Sequence, residues 1–152
     1  MTIKEAIQKL EHFCVYQDRC HDEVISKLYA LKMSPEEIDT ILVKLISDNF
    51  LNETRFACSF ARGKHRIKHW GKIRIVNELK ARHITATNIN LALKEISPEE
   101  YQTTFEALSQ RCWDNLRESN VLKKRKKFCD YMLRRGYESS FVYDKMKQLE
   151  LA

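Results

Sequence analysis

Seven apolar positions recur three times along this chain, at intervals of 51 and then 53 residues. Within each copy their spacing is that of the buried faces of consecutive helices. A period of this size is typical of a helical repeat array, in which each unit buries its apolar face against its neighbours. The three sets are Val24, Ile25, Leu28, Met33, Ile38, Leu42 and Leu45; Ile75, Val76, Leu79, Ile84, Ile89, Leu93 and Ile96; and Phe128, Cys129, Met132, Tyr137, Val142, Met146 and Leu149.

Capping signals lie between these apolar stretches. Ser34-Pro35-Glu36-Glu37 and Ser97-Pro98-Glu99-Glu100 each combine a capping serine, a proline suited to the first helical position and a glutamate three residues after the serine. Cys20 is expected to cap the second helix. Gly136 stands where the second helix of the third copy should end, and Lys32 and His83 hold the same position in the other copies.

Glycine and proline are scarce, with three and two residues among 152, which disfavours the many turns of an all-β fold. We therefore predict an all-α fold of three tandem three-helix repeats, residues 1–51, 52–96 and 97–152, forming an elongated, curved array. Three widely separated glycines cannot form a phosphate-cradling loop, and no GxSxG or HExxH motif occurs. We expect no catalytic residue, no cofactor and no small-molecule substrate.

The five cysteines are odd in number and contain no CxxC pair, which favours reduced thiols over a disulfide framework. The N-terminus lacks the apolar core of a signal peptide, and no apolar run approaches the ~20 residues that span a bilayer. We expect a cytoplasmic protein with no membrane partner. His12, Cys14, Cys20 and His21 are side chains that zinc accepts, but their spacing matches no common zinc finger, so we expect no metal site.

The positive charge is concentrated in the middle of the chain. Residues 1–51 hold 6 Lys+Arg and 9 Asp+Glu, residues 52–96 hold 10 and 3, and residues 97–152 hold 11 and 9. The three predicted repeats therefore carry −3, +7 and +2, which sum to the net +6. A concentrated field of one sign attracts a partner of the opposite sign, either nucleic acid or an acidic protein groove.

Two stretches carry the candidate binding residues. The basic tract of the middle repeat interleaves cations with Ile67, Ile73 and Ile75, which are expected to face the core. A second basic run follows in the third repeat, and either stretch is alternatively only a solvated helix face. Among the tryptophans, Trp113 is expected to pack, whereas Trp70 could pack or stack on a base. The candidates are Arg55, Arg62, Lys64, Arg66, Lys68, Lys72, Arg74, Lys80 and Arg82, then Lys123, Lys124, Arg125, Lys126 and Lys127.

Ordered pieces of the chain resemble the RecX family of recombinase regulators. The family pattern is an acidic residue shortly before Arg-Phe-Ala, a basic stretch, a glycine and an Ile-x-x-Glu-Leu helix. It is similar to Glu53 with Arg55-Phe56-Ala57, Arg62-Gly63-Lys64, Trp70-Gly71 and Ile75-x-x-Glu78-Leu79. Arg19-Cys20-x-x-Glu23 resembles the opening of the family's first unit, and Arg134-Arg135-Gly136 part of its last. Asn52-Glu53, Cys20 and the single turn glycine depart from the family pattern, and all three affect helix caps.

The resemblance implies tandem three-helix units and a non-enzymatic role in DNA repair, recombination and the SOS response. It implies binding in the groove of RecA nucleoprotein filaments, with growth blocked or disassembly promoted and RecA's ATP hydrolysis suppressed. DNA contact through the filament is then possible. Arg55 is alternatively structural, paired with an acid at the start of its helix. The rival hypothesis is a free-standing DNA-binding helical protein, because three-helix units share helix-turn-helix geometry. The third helix of the middle repeat is nearly uncharged, however, and would read bases poorly.

Overall fold

A computed structural model of the chain describes residues 1–152 and consists of nine α-helices. No helix is both long and apolar enough to cross a bilayer. The helices are α1 (Ile3–Tyr16), α2 (His21–Ala30), α3 (Pro35–Ser47), α4 (Glu53–Lys68), α5 (Lys72–Ala81), α6 (Ala86–Leu93), α7 (Pro98–Asn115), α8 (Val121–Arg134) and α9 (Ser139–Leu151).

The expected all-helical class and three-helix repeats are confirmed. The seven recurring apolar positions are buried or half-buried in all three copies. The predicted boundaries after Leu51 and Ile96 lie between α3 and α4 and between α6 and α7. Division of the chain into three domains at these points stays a prediction.

The helix caps explain where several helices begin. The Ser34 hydroxyl accepts the Glu37 N–H at 3.2 Å, while the Glu37 carboxylate accepts the Ser34 N–H at 2.9 Å. Ser97 caps α7 in the same way through the Glu100 N–H at 3.0 Å. Cys20 is the N-cap of α2, as expected, and its N–H donates to the Glu23 carboxylate at 3.2 Å. Each cap satisfies backbone groups that have no partner inside the helix.

The turn after the second helix of each copy has the same backbone geometry. Lys32, His83 and Gly136 have φ of 65°, 60° and 100°. In each copy the residue after this turn donates its N–H to a carbonyl five residues earlier, Met33 to Leu28 at 3.1 Å being the first example. This is the hydrogen bond of a helix that ends in a left-handed residue. The sequence shift therefore aligned equivalent turns as well as equivalent core positions.

The chain forms two compact units, and the first comprises residues 1–60 and 79–92. Its core is built by the inward faces of α1, α2 and α3. Ile3 and Ile7 of α1 are partly buried against that core, so the apolar stripe predicted for α1 is confirmed. The buried residues of the core are Ala6, Leu10, Cys14, Val24, Leu28, Met33, Ile38, Ile41, Leu45 and Leu51.

The second unit comprises residues 61–78 and 93–152. Aromatic side chains form a row through its interior. The Tyr137 ring lies 5.5 Å from that of Tyr101 and 5.3 Å from that of Phe105, between ring centroids. Trp113 of α7 meets Phe128 of α8 edge-on at 5.6 Å. The expectation that Trp113 packs is confirmed.

The expected inward orientation of Ile67 and Ile73 is wrong, since these side chains are 75% and 46% exposed. The buried face of α4 contains Ala57, Ala61 and His65, spaced by four residues. Ile67 follows His65 by two positions, about 200° around a helix, and so points the opposite way. The same offset separates Ile73 from the buried Ile75. The two isoleucines therefore lie among the cations of the basic tract on the outer surface.

Candidate functional site

Arg55 is held by contacts within the first unit. Its Nε donates to the Asp18 carboxylate at 2.8 Å, and its Nη2 donates to the carbonyls of Asn49 and Phe50, each at 3.1 Å. The structural alternative for this residue therefore has a partner, although not the expected one. Asp18 lies in the connection between α1 and α2, not at the start of α4.

Two arginines of the basic tract pair with carboxylates in the second unit. Arg62 contacts Glu95, and the Arg66 Nε donates to Glu100 at 2.7 Å. The hydrogen bond from Arg66 lowers the pKa of Glu100, and the same bond raises the pKa of Arg66. These two cations are thus largely neutralised by the fold.

The second basic run is also mostly paired. The Arg125 Nε donates to Glu150 at 2.7 Å, Lys126 lies 2.7 Å from Asp130, and Lys127 lies 3.0 Å from Glu118. The pairings lower the pKa of Glu150 and, through Lys127 first, that of Glu118. Lys124 lies 4.2 Å above the Trp113 ring, and Lys123 is exposed without an ion pair. Most charge in this run therefore joins elements of the third repeat.

Several other candidates lie over aromatic rings. Lys72 is 4.7 Å from the Tyr101 centroid and Arg82 is 4.9 Å from that of Phe60. Such contacts attract a cation to the electron-rich ring face without cancelling its charge. Lys80 is exposed on α5.

Trp70 is the centre of a basic cleft in the second unit. Lys64 Nζ and Arg74 Cζ lie 4.9 and 4.1 Å from its ring centroid. The cleft encloses about 430 Å³, and the Arg135 guanidinium lies 5.3 Å from the Tyr131 ring centroid. We call it the Trp70 cleft, and its lining residues are Lys68, Trp70, Arg74, Tyr131, Arg134 and Arg135.

No carboxylate balances the cations that line the Trp70 cleft. Lys68, Arg74, Arg134 and Arg135 make no ion pair. This distinguishes them from Arg62, Arg66 and the paired members of the second run. Charge that the fold leaves uncompensated in a concave site attracts an anionic ligand.

Backbone hydrogen bonds hold the two walls of the cleft together. Gly71 donates its N–H to the Arg135 carbonyl at 2.8 Å, and Ile73 donates to the Gly136 carbonyl at 2.9 Å. In the other direction, Arg135 Nη1 donates to the Lys68 carbonyl at 2.8 Å and the Tyr137 hydroxyl donates to the His69 carbonyl at 2.8 Å. The α4–α5 connection and the α8–α9 turn are therefore joined through their main chains.

A buried histidine supports the same connection from below. His65 is fully buried, and its Nδ1 lies 2.9 Å from the Trp70 carbonyl, so Nδ1 carries the proton that the carbonyl accepts. Its ring stacks on Tyr101 at 5.4 Å. The Tyr101 hydroxyl donates to Glu138 and accepts the Lys72 N–H at 3.0 Å. Burial, followed by the bond to Glu138, raises the pKa of Tyr101, so its hydroxyl stays protonated.

The fold brings together residues that the sequence patterns did not. Lys68 and Arg74 were candidates, and Trp70 was weighed for stacking. Tyr131, Arg134 and Arg135 were not among the candidates, although they lie beside Gly136, the predicted turn. That turn signal located the residues without showing that the chain returns there to meet Trp70.

The structure brings no group of three or more His, Cys, Asp or Glu side chains into a metal-binding arrangement. Cys14 is buried in the core of the first unit, and burial raises its pKa. Burial also raises the pKa of Cys20 to about 11. Both sulfurs are accordingly protonated at neutral pH, whereas a zinc ligand is a thiolate.

Residues 52–93 match the family model described as the second three-helix domain of RecX. The chain is 28% identical over 149 residues to the regulatory protein RecX of Finegoldia magna, covering 95% of this chain and 70% of that protein. It is 22% identical to the RecX of Limosilactobacillus reuteri, spanning 94% of this chain but only 54% of the relative. The RecX of Prosthecochloris aestuarii is 23% identical, with 96% and 94% covered.

Two solved structures share the fold. One is a crystal structure of regulatory protein RecX, with a TM-score of 0.84 and 22% identity, covering 96% of this chain and 73% of the other. The second is a crystal structure of RecX from Lactobacillus salivarius, with a TM-score of 0.81 and 21% identity, covering 99% and 97%. The agreement extends over nearly all nine helices.

Proposed function

We propose a partner for this chain on the premise that it belongs to the RecX family, whose members are named regulatory proteins. The proposed partner is the RecA nucleoprotein filament. The protein binds in the filament groove, blocks growth or promotes disassembly, and thereby suppresses recombination and ATP hydrolysis by RecA. It performs no chemistry of its own and acts in the cytoplasm, where the filaments form.

The observation that carries the proposal is the set of uncompensated cations on α4, α5 and the α8–α9 turn. A filament of protein and DNA is strongly anionic, so it attracts such a surface at long range and binds it at close range. Arg62 and Arg66 are internally paired and contribute less than Lys68, Arg74 and Lys80. We therefore narrow the proposed contact to the unpaired members of the basic tract.

The helix-turn-helix alternative gains little from the structure. A reading helix needs side chains that donate to or accept from base edges. In the middle repeat α6 is only eight residues long, carries no charge and leaves few polar side chains for that purpose. Its Asn88 amide donates instead to Glu53.

The experiment is a titration of this chain into RecA assembled on single-stranded DNA, with ATP hydrolysis as the readout. We expect progressive inhibition that weakens as salt rises. Unchanged hydrolysis at saturating protein would contradict the proposed function. A parallel titration on labelled single- and double-stranded DNA without RecA tests the rival, which predicts equally tight binding in the absence of the filament.

A double variant, Lys68→Glu with Lys80→Glu, tests which surface makes the contact. Both side chains are exposed and make no ion pair, so their reversal should leave the fold intact and weaken inhibition. The matched control is Lys94→Glu with Lys147→Glu, two exposed lysines outside the basic stretches. Full inhibition by the first variant would move the contact elsewhere while leaving the partner unchanged.

A further inference from the structure

We propose that the Trp70 cleft is a binding site for single-stranded nucleic acid. It would take one backbone phosphate among its cations and the flanking bases against its aromatic rings. The inference deepens the proposed function, on which it rests for its setting, because it assigns direct contact with the strand that a filament encloses.

The charge of the cleft is the first step. Four cations converge on about 430 Å³, a volume suited to a nucleotide-sized group. None of the four makes an ion pair, although six of the fourteen candidate cations do. Like charges held close together repel each other until an anion joins them. The fold thus pairs its cations elsewhere and leaves this group available.

The arrangement of guanidinium groups on rings is the second step. Arg74 lies over Trp70 and Arg135 lies near the face of Tyr131. A guanidinium held against a ring still presents N–H groups at its edge, and their fork geometry matches two phosphate oxygens. The pair of rings adds faces on which bases stack in a sequence-tolerant way.

The rings also favour one class of ligand over others. An acidic peptide would use the cations but has no regular need for two aromatic surfaces. A duplex keeps its bases stacked inside, so it presents phosphates without base faces. A single strand offers both groups at the spacing of one nucleotide, which is why it fits the cleft best.

The rigidity of the cleft is the third step. Trp70 is fixed through its carbonyl by His65 at 2.9 Å and through its N–H by the Lys64 carbonyl at 3.2 Å. Gly71, the next residue, is bonded to the Arg135 carbonyl at 2.8 Å. Both walls are therefore positioned before a ligand arrives, which lowers the ordering cost of binding.

The first test measures the affinity of the full 152-residue chain for a fluorescein-labelled oligothymidylate of about 12 nucleotides, without RecA. Lys68→Glu with Arg134→Glu should weaken binding at least about tenfold and reduce the salt slope by about 1.4, the value for two lost phosphate contacts. Lys94→Glu with Lys147→Glu changes the net charge equally and should bind like the parent. Equal losses in both variants would show only a general field effect and overturn the proposal.

The second test locates the base. Trp113→Phe leaves Trp70 as the single tryptophan, and oligothymidylate should quench its fluorescence at the concentrations that saturate the labelled strand. Trp70→Phe leaves Trp113, whose emission should not change. No quenching of Trp70, or equal affinity for hexaglutamate or for duplex DNA, would exclude a single-strand site at this position.

A third measurement separates this proposal from the proposed function. Inhibition of RecA without strand binding at the cleft would refute the cleft and leave the partner intact. Strand binding at the cleft without any effect on RecA would support the site and refute the partner. Each variant is first checked by circular dichroism for an unchanged helical content.

Discussion

The backbone of Gly71 lies directly against the backbone of Gly136. A Cβ added to Gly71 would lie 2.3 Å from the Gly136 carbonyl oxygen, and one added to Gly136 would lie 2.4 Å from the Arg74 Cβ. The hydrogen bonds from Gly71 to Arg135 and from Ile73 to Gly136 depend on this approach. Two of the three glycines in the chain therefore serve a single contact between main chains.

Gly71→Ala should destabilise the protein by about 3 kcal/mol, because the methyl group meets backbone atoms that cannot move aside alone. Gly63→Ala is the matched control, since nothing lies within 4 Å of its added Cβ. In the interior of α4 that change should stabilise by about 0.5–1 kcal/mol. Urea unfolding measures both values. Similar effects of the two substitutions would contradict the close approach.

The left-handed turns offer a prediction of opposite sign in two copies. Lys32 is exposed and holds a φ of 65°, a conformation that costs an L-residue about 1 kcal/mol. Lys32→Gly should therefore raise the melting temperature by about 2 °C. Gly136→Ala should lower it, because its φ of 100° and the nearby Arg74 both exclude a side chain. A lower melting temperature for Lys32→Gly would refute the equivalence of the two turns.

The periodic part of the fold could be predicted because it depends on local pattern. Apolar spacing identified the core positions, and Ser34 and Ser97 marked two helix starts. The shift that aligned Lys32 and His83 with Gly136 was confirmed by their shared positive φ. Repeats stack the same unit again, so one correct unit predicts most of the others.

The candidate site could be predicted only in part, since it depends on contacts between distant segments. Charge alone could not distinguish Arg66, which Glu100 neutralises, from Arg74, which has no acidic partner. The inward orientation expected for Ile67 failed because a polar residue, His65, occupies the core position of that turn. The side of the Trp70 cleft formed by Arg134 and Arg135 follows more than 60 residues later in the chain.

Arg55 provides a test of structure against function. It joins Asp18 to the carbonyls at the end of α3, so Arg55→Ala should destabilise by about 1–2 kcal/mol, with its partial exposure reducing the larger values found for buried pairs. Asp18→Asn should cost less, since the carbonyl contacts remain. The folded Arg55→Ala protein should still inhibit RecA like the parent. Lost inhibition with unchanged stability would instead place Arg55 in the partner contact.

The ion pair of Arg66 and Glu100 predicts a dependence of stability on pH. The pKa of Glu100 is lowered in the folded protein, chiefly by the hydrogen bond from Arg66, whereas the unfolded chain has the ordinary value of 4.5. The unfolded chain therefore takes up a proton more readily, so this stabilisation is complete above about pH 5 and is lost as pH falls below 4.5 through the lowered value. Glu100→Gln should melt below the parent at pH 7, and the difference should shrink toward pH 3. Glu99→Gln, at a neighbouring carboxylate without an ion pair, should show no such convergence. A difference between Glu100→Gln and the parent that stays constant from pH 7 to pH 3 would show that the pair contributes nothing through its charge.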